Sequence, residues 1–411
     1  MERNTIFIQI ASYRDPELIP TIKDCISKAK YPENLSFGIC WQHSEDDLWD
    51  NLDEFVALAN FTIMDVPWKE SNGVCWARYH LQQMWKGEKY TLQLDSHHRF
   101  IQNWDEELIE MVGLCNSEKP IITSYVGAYD PSGSVLLSKE PYKLYGEHFN
   151  KEGNIRICSK TIENFRQLKA PVRGRFVSGH FYFTLGNHCQ ECKYDPDFYF
   201  DGEELRLSIM SYTNGYDIFH PHKLIIWHEY TRKGRVKHWD DFEHTNKEKG
   251  IISKEWYKMN AESCAKLRSF LNHEIIGVYG LSEDYTEERK VYIIRTLADY
   301  EKYAGINFKL RKLHPDCVSG EEPPVIYSDD KWLTDIEVEY NYILTIPPTA
   351  NFKFIFIGID SDNGENLFRK DLTEYVSTLV VNFKSVKKPY KSIYWVYDKD
   401  KGWDKRIDTI L

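Results

Sequence analysis

The chain has 411 residues, 42% of them hydrophobic and 28% charged, which is enough to bury a large core and predicts two domains. Its net charge of −11 argues against non-specific nucleic-acid binding, because that function needs a basic face. No run approaches the roughly eighteen apolar residues of a membrane span, so we expect no transmembrane segment. Met1 leads directly into a strand, so no signal peptide is expected. Nine scattered cysteines favour a reducing, cytoplasmic compartment.

Strands and helices alternate in the first part of the chain. Apolar runs predict strands at 5–11, 35–41, 61–66, 90–94 and 121–125. Helical patterns follow Pro16 and Asn72, and occupy 46–59 and 104–115. This alternation predicts βαβ units and a largely parallel sheet.

The strand from Tyr90 ends in a polar cluster. Asp95 and His97 follow the apolar residues and are two positions apart, so both side chains lie on one side of the chain. Open α/β sheets bind ligands at the carboxyl ends of their strands, where such a pair could hold a divalent cation. His98 is adjacent but should point the other way.

Residues 126–173 lack a long period and predict a functional loop or flap. Order returns with an apolar segment at 175–183, a helix at 205–214, strands at 216–219 and 223–227, and a helix at 253–271. Residues 286–303 look helical, and 336–346, 352–359, 378–383 and 392–397 look like strands. We therefore expect an α/β domain at 1–272 and a smaller, mostly antiparallel β-sandwich at 273–411.

Short motifs occur in a defined order along the chain. They are Ser12-Tyr13-Arg14-Asp15, Ala77-Arg78, Asp95-Ser96-His97, Ser178-Gly179, Gly202-Glu203-Glu204 and Trp227-His228. In this order they resemble nucleotide-sugar glycosyltransferases of the GT-A fold. The closest resemblance is to the polypeptide α-N-acetylglucosaminyltransferases that modify hydroxyproline on a ubiquitin-ligase subunit. Polypeptide GalNAc transferases share the motif order. The resemblance covers about residues 4–230, with a further similar segment at 295–306.

The resemblance implies a GT-A (Rossmann-like) catalytic domain and a metal-dependent, retaining transfer of GlcNAc from UDP-GlcNAc. Asp95 and His97 would bind Mn²⁺ or Mg²⁺, and His228 would be the third ligand by its match to the family. The cation would stabilise negative charge on the leaving diphosphate.

The same resemblance implies that residues of several motifs contact the UDP-sugar donor. Ser12 and Arg14 end the first strand where a uridine would lie, and Arg78 would contact phosphate. Asp95 would also lie against the donor. Ser178 and Gly179 match small residues that let a sugar approach closely. Glu203 would meet the donor sugar and acceptor, with Glu204 as the second choice.

The acceptor could be a hydroxyl of hydroxyproline, Ser or Thr on a protein, as in protein glycosylation, or of a glycan. Since no carboxylate nucleophile is assured, we favour a same-face displacement in which the leaving phosphate takes the acceptor proton. Asp201 and Glu204 depart from the GalNAc-transferase pattern, which leaves the sugar open. One alternative is a non-catalytic carbohydrate-binding protein on a GT-A scaffold. The other is a metal hydrolase that uses residues 95–98.

Overall fold

A computed structural model of the protein describes residues 3–49, 51–133, 135–150, 152–272, 294–325, 338–385 and 387–411. Strands and helices alternate in its first part. They are β1 (Ile6–Tyr13), α1 (Leu18–Lys28), β2 (Leu35–His43), α2 (Asp53–Val56), β3 (Phe61–Pro67), α3 (Val74–Gln82), β4 (Tyr90–Asp95), β5 (His98–Phe100), α4 (Trp104–Leu114) and β6 (Pro120–Thr123). Short 3₁₀ helices lie at Pro32–Asn34, Trp68–Glu70 and Phe165–Gln167.

The middle of the chain adds short strands before the next long helices. Its elements are β7 (Gly127–Asp130), β8 (Val135–Leu136), β9 (Tyr142–Phe149), β10 (Ile155–Thr161), β11 (Val172–Arg173), β12 (Phe181–Leu185), α5 (His188–Glu191), α6 (Glu203–Thr213), β13 (Asp217–His220), β14 (Ile226–His228), α7 (His238–Asp241), α8 (His244–Glu248) and α9 (Trp256–Asn272).

The last part of the chain is mostly strand. Its elements are α10 (Leu297–Ala304), β15 (Ile306–Asn307), β16 (Lys312–Leu313), α11 (Pro315–Ser319), β17 (Val338–Thr345), β18 (Phe352–Ser361), β19 (Asn366–Leu372), β20 (Thr378–Ser385), β21 (Pro389–Asp398), β22 (Gly402–Trp403) and β23 (Ile407–Ile410).

An eight-stranded sheet forms the centre of the first part, in the order β11-β13-β6-β12-β4-β1-β2-β3. The pairs β1–β2, β2–β3, β1–β4 and β6–β13 are parallel, whereas β12 runs antiparallel to β4 and β6. The predicted α/β class with a largely parallel sheet is therefore confirmed. Because β1 and β4 run side by side, both end at the same edge of the sheet.

Helices cover both faces of this sheet. On one face, α1 and α4 pack their apolar stripes against β1 and β4, with Leu18, Ile22 and Trp104 fully buried. On the other face, α6 and α9 bury residues such as Ile209 and Leu267. Such two-sided burial explains the nearly continuous apolar runs of the central strands.

Two local predictions were wrong. Residues 126–173 hold five strands in place of an irregular loop, and β9 and β10 form an antiparallel hairpin. Its strands are short and mix polar with apolar residues, so they show no long period. The helix predicted at 46–59 is reduced to the single turn of α2.

The end of the chain forms two antiparallel sheets, as predicted. One pairs β17 with β20, and the other has the order β19-β18-β21-β22, with β23 also on β21. Ile355, Ile357, Ile359 and Val381 are buried between them. No helix in the described part of the chain is long and apolar enough to cross a membrane.

Helix α10 packs with the first domain. Tyr300 and Ala304 are fully buried in the same core as α6, and the Tyr300 hydroxyl donates a hydrogen bond to the Arg175 carbonyl at 2.8 Å. The predicted boundary after residue 272 adjoins residues 273–293, which lie outside the described part. The helix predicted from residue 286 is described only from Leu297.

Candidate active site

Polar side chains gather where the central strands end. Asp95 is the last residue of β4 and lies opposite Ala11 of β1. Ser178, Gly179 and His180 lead into β12, whose first residue, Phe181, pairs with Leu94. The parallel and antiparallel strands thus deliver their polar residues to one edge of the sheet.

Asp95, His97 and His228 form a cluster that fits a metal ion. Their ligand atoms all lie within 4.8 Å of one another. Asp95 Oδ2 is 3.8 Å from His97 Nε2 and 3.5 Å from His228 Nε2. One carboxylate oxygen and two imidazole nitrogens suit Mn²⁺ better than Mg²⁺, which prefers oxygen ligands alone. The residues predicted as ligands are therefore brought together.

Asp15 orients His97. Its buried Oδ2 is 2.7 Å from His97 Nδ1 and accepts a hydrogen bond from Ser96 Oγ at 2.7 Å. Burial alone would raise the pKa of Asp15, but His97 and Arg235 outweigh burial and hold this pKa well below its usual value. An ionised Asp15 fixes the proton on Nδ1, which leaves the Nε2 lone pair of His97 for a cation.

His228 is a neutral imidazole in a cluster of rings. Burial, together with His180 and His97, lowers the pKa of His228 well below its usual value. Neither ring nitrogen of His228 has a hydrogen-bond partner. An orphaned, buried and neutral imidazole is costly unless it serves as a ligand. His98 is also fully buried but stands outside the three-residue cluster, as predicted.

Arg78 connects the metal cluster to the start of α6. Its Nη2 donates to Asp95 Oδ1 at 2.8 Å, and its Nη1 donates to Glu203 Oε2 at 2.7 Å. Burial would raise the pKa of Asp95, but the imidazole of His228, 3.5 Å away, and the charge of Arg78 hold this pKa well below its usual value. Asp95 therefore remains anionic across the physiological range.

Glu203 and Glu204 occupy different surroundings. Glu203 is tied to Arg78, and Cys75 Sγ lies 3.3 Å from its Oε2. Glu204 Oε1 accepts from the Gly179 amide at 2.8 Å, and its Oε2 accepts from the Tyr125 hydroxyl. Burial raises the pKa of Glu204 to about 7, so it can hold or release a proton near neutral pH.

Gly179 must be small because both neighbouring side chains lie against it. A Cβ placed there would be 2.6 Å from Glu203 Oε1 and 2.9 Å from Arg78 Nη1. Its carbonyl accepts a hydrogen bond from Gln93 Nε2 at 2.7 Å, which fixes the backbone. Gly179 therefore permits the close approach of two charged groups at the site.

Two cavities meet at Asp95 and His228. The first lies on the side of Glu203 and Glu204. The second lies on the side of His97 and extends towards the end of β1. Their shared wall also includes Val74, Phe200 and Arg232. The candidate metal cluster thus lies at the boundary between the two cavities. The first cavity is lined by carboxylates, and the second is more aromatic and basic.

Ser12, Arg14 and Ser178 line neither of these cavities. Side chains alternate along a strand, and in β1 it is Ala11 and Tyr13 that face the second cavity. Arg14 pairs instead with Asp47 at 2.8 Å and Asp241 at 3.0 Å. Its guanidinium therefore anchors the chain around α7.

Sequence reasoning missed several residues of the site. Arg235 Nη1 contacts Asp15, and its Nη2 lies 3.2 Å from His97 Nε2, so it competes with a cation for that lone pair. Arg232 lines both cavities, and Tyr125 and His180 line the first. Basic residues are concentrated at 231–237, shortly after His228. This concentration could have indicated that Arg232 and Arg235 belong to the site.

Two solved structures are similar to this chain. The crystal structure of GalNAc-T7 with UDP, GalNAc and Mn²⁺ matches at 14% identity and a TM-score of 0.46, over 72% of this chain and 56% of that chain. The crystal structure of S. aureus TarS 1-349 matches at 9% identity and a TM-score of 0.38, over 55% of this chain and 60% of that one. No curated protein sequence matches at a significant level.

A family model provides the stronger comparison. The model described as glycosyltransferase (GlcNAc) matches residues 5–56 and 50–309, which is well over half of the chain. The matched residues include the metal cluster, Arg78, both glutamates and α10. The protein belongs to the glycosyltransferase (GlcNAc) family.

Proposed function

We propose that the protein transfers GlcNAc from UDP-GlcNAc to a hydroxyl group of a protein or glycan, with the help of a divalent cation, preferably Mn²⁺. The convergence of Asp95, His97 and His228 at the junction of two cavities carries this proposal. A non-catalytic sugar-binding protein would not need three groups arranged as metal ligands, two of them buried. When bound, the cation would neutralise charge on the diphosphate leaving group.

The second cavity is the proposed nucleotide site. Tyr13, His238 and Trp239 offer aromatic surfaces for a base, and Arg235 offers a planar cation for phosphate. On donor binding, Arg235 would leave His97 and turn to the diphosphate. We propose that Tyr13, Arg232 and Arg235 contact the nucleotide, in place of Ser12 and Arg14, which the sequence predicted.

The first cavity is the proposed site of the sugar and the acceptor. Glu203 lines it, and its tight pairing with Arg78 makes it a poor nucleophile because the charge is already compensated. This pairing supports a same-face displacement with retention. In that mechanism, Glu203 orients sugar and acceptor hydroxyls, and the departing phosphate oxygen takes the acceptor proton. Cytoplasmic location remains our expectation from the free cysteines.

Donor hydrolysis tests the proposal directly. The protein is incubated with UDP-GlcNAc, UDP-GalNAc or UDP-glucose, with Mn²⁺, Mg²⁺ or EDTA, and the products are identified by mass spectrometry. We expect UDP release from UDP-GlcNAc above all, and only with a divalent cation. Equal hydrolysis in EDTA would overturn the metal role, and preference for another donor would overturn the sugar assignment.

Calorimetry of UDP binding tests the ligand set. Asp95→Ala and His97→Ala should abolish transfer and weaken UDP binding in Mn²⁺ by about tenfold or more. Even the loss of a residue that only supports a metal ligand weakens metal binding by about that factor. His244→Ala is the matched control, since its side chain is 63% exposed on α8. UDP affinity that is unchanged by EDTA and by both substitutions would contradict the assignment.

A further inference from the structure

The larger C-terminal sheet presents aromatic side chains on its outer face. Along β18, Ile355 and Ile357 enter the sandwich core, so the residues between and before them face outwards. The register places Tyr397 opposite the outward Phe354, and Trp395 opposite the outward Phe356. We call the following residues the aromatic platform: Phe354, Phe356, Trp395, Tyr397 and Trp403.

The rings of the platform hold one another in place. Trp395 and Trp403 stack with centroids 4.1 Å apart, and Phe354 lies nearly parallel to Tyr397 at 5.2 Å. The Trp395 indole nitrogen donates to the Asp404 carbonyl at 2.7 Å. Trp403 nevertheless remains 44% exposed. Rings that are fixed before a ligand arrives lose little entropy on binding.

Polar groups surround the platform. Asn351 and Asp400 are joined by a hydrogen bond of 2.8 Å beside the end of β21. Lys353 Nζ lies 6.0 Å from the centroid of the Tyr397 ring. These side chains offer donors and acceptors next to the strands that carry the rings.

Outside the platform, this face carries the exposed Ile410 of β23 beside charged side chains. Elsewhere the same face carries ion pairs, including Arg369 with Asp371 at 2.8 Å and Lys391 with Asp408 at 2.7 Å. A stable dimer buries about 800 Å² on each partner, largely apolar at its centre. A few rings framed by charges fit a smaller ligand better than they fit a second protein surface.

We propose that the aromatic platform binds the pyranose rings of a glycan at a site separate from the catalytic one. A pyranose presents an apolar C–H face that stacks on an aromatic ring, while its hydroxyls bond to polar neighbours. Membership of a glycosyltransferase family makes a sugar the class of ligand expected at such a face. The proposal does not depend on the donor sugar or on the metal.

Isothermal titration of the full chain with triacetylchitotriose and with cellotriose tests the proposal. We expect saturable binding of at least one oligosaccharide, weakened about tenfold or more by Trp403→Ala. Trp403→Tyr should keep most of the affinity because it keeps a ring. Trp49→Ala, which removes a tryptophan that is 47% exposed in the first domain, is the matched control and should bind normally. Asp95→Ala should also bind normally.

Three results would overturn the proposal. One is the absence of saturable binding of either sugar at millimolar concentration. The second is binding lost in Asp95→Ala but kept in Trp403→Ala, which would place the sugar in the catalytic site. The third is a dimer, seen by sedimentation, that Trp403→Ala dissociates while no sugar binds, which would make the platform a contact between copies.

Discussion

Glu203 and Glu204 are neighbours in sequence, but different partners hold their carboxylates. Glu203 is compensated by Arg78, whereas Glu204 accepts hydrogen bonds from a backbone amide and a phenol. The chain turns sharply at Gly202 and continues as a helix, so consecutive side chains point in different directions. Their chemical roles can therefore be separated by single substitutions.

We expect Glu203→Gln to reduce transfer sharply and leave UDP binding nearly unchanged. The amide keeps the shape of the side chain but loses the negative charge that interacts with Arg78 and with the acceptor hydroxyl. Interactions made in the transition state affect turnover more than they affect ground-state binding. Transfer rate and UDP affinity are measured beside Glu204→Gln. Near-normal transfer by Glu203→Gln would rule out its role, and a large loss confined to Glu204→Gln would move the role by one residue.

The raised pKa of Glu204 predicts a pH-dependent stability. Its pKa of about 7 in the folded protein exceeds the ordinary 4.5, so the protonated form is favoured by folding. The stability it contributes is complete below about pH 4.5 and is lost as pH rises to about 7. Relative to Glu204→Gln, the wild-type free energy of unfolding should fall over this window by up to about 3 kcal/mol.

Urea denaturation of both proteins at several pH values in EDTA measures this difference. Contributions from the buried histidines are common to the two proteins and cancel. A difference that stays flat between pH 4.5 and pH 7 would show that folding does not raise the pKa of Glu204.

At the scale of elements, the start of α6 positions Glu203 and Glu204, the proposed catalytic residues. Gly202 has φ of +90° at the N-cap, a conformation that costs a residue with a side chain about 1–2 kcal/mol. A Cβ there would also lie 2.7 Å from Leu267 Cδ2 of α9. The helix can begin at Glu203 only because glycine precedes it.

Gly202→Ala should therefore lower the free energy of unfolding by about 1–2 kcal/mol and reduce transfer more than UDP affinity. The control is Gly250→Ala, since Gly250 has φ of +70° with open space around it and lines neither cavity. It should show a similar loss of stability with normal transfer. If Gly202→Ala reduced transfer no more than Gly250→Ala does, the start of α6 would not depend on glycine at position 202 for its role in transfer.

At the scale of the whole molecule, residues beyond the predicted boundary at 272 pack into the core of the first part of the chain. Tyr300, Phe308 and Cys317 are almost fully buried in the core that includes α6 and α9. Arg175 Nε donates to the Ala304 carbonyl at 2.8 Å, which ties α10 to the segment between β11 and β12. We propose that the catalytic unit ends near Val325, and the family match to residue 309 supports it.

A chain ending at Val325 should fold and hydrolyse donor, whereas a chain ending at Leu271 should lose its cooperative melting transition. Removing α10 would expose several large buried side chains, each worth about 3–5 kcal/mol when truncated in a core. Circular dichroism melting and UDP calorimetry of the two chains measure this. If the shorter chain melted and bound UDP like the longer one, residues 294–325 would be dispensable for the catalytic fold.

The sequence alone determined the features that depend on neighbouring residues. Alternating apolar runs predicted the parallel strands, and the end of the Tyr90 strand predicted that Asp95 and His97 share one edge. These predictions succeed because side-chain period and strand ends are local properties. His228 and Glu203 were found by resemblance, and their meeting with Asp95 and Arg78 became visible only in the structure.

Only the tertiary structure decided which distant groups meet. Arg235 reaches His97 from 138 positions away, and α10 joins a core that includes residues as distant in sequence as Cys75 and Ile121. The structure also decided that Tyr13, and not Arg14, faces the second cavity. Successive side chains of a strand point to opposite faces, so an error of one residue in the register exchanges the two. Local periodicity carries no information about such long-range pairings, since loop paths and ion pairs are settled by the packing of the complete chain.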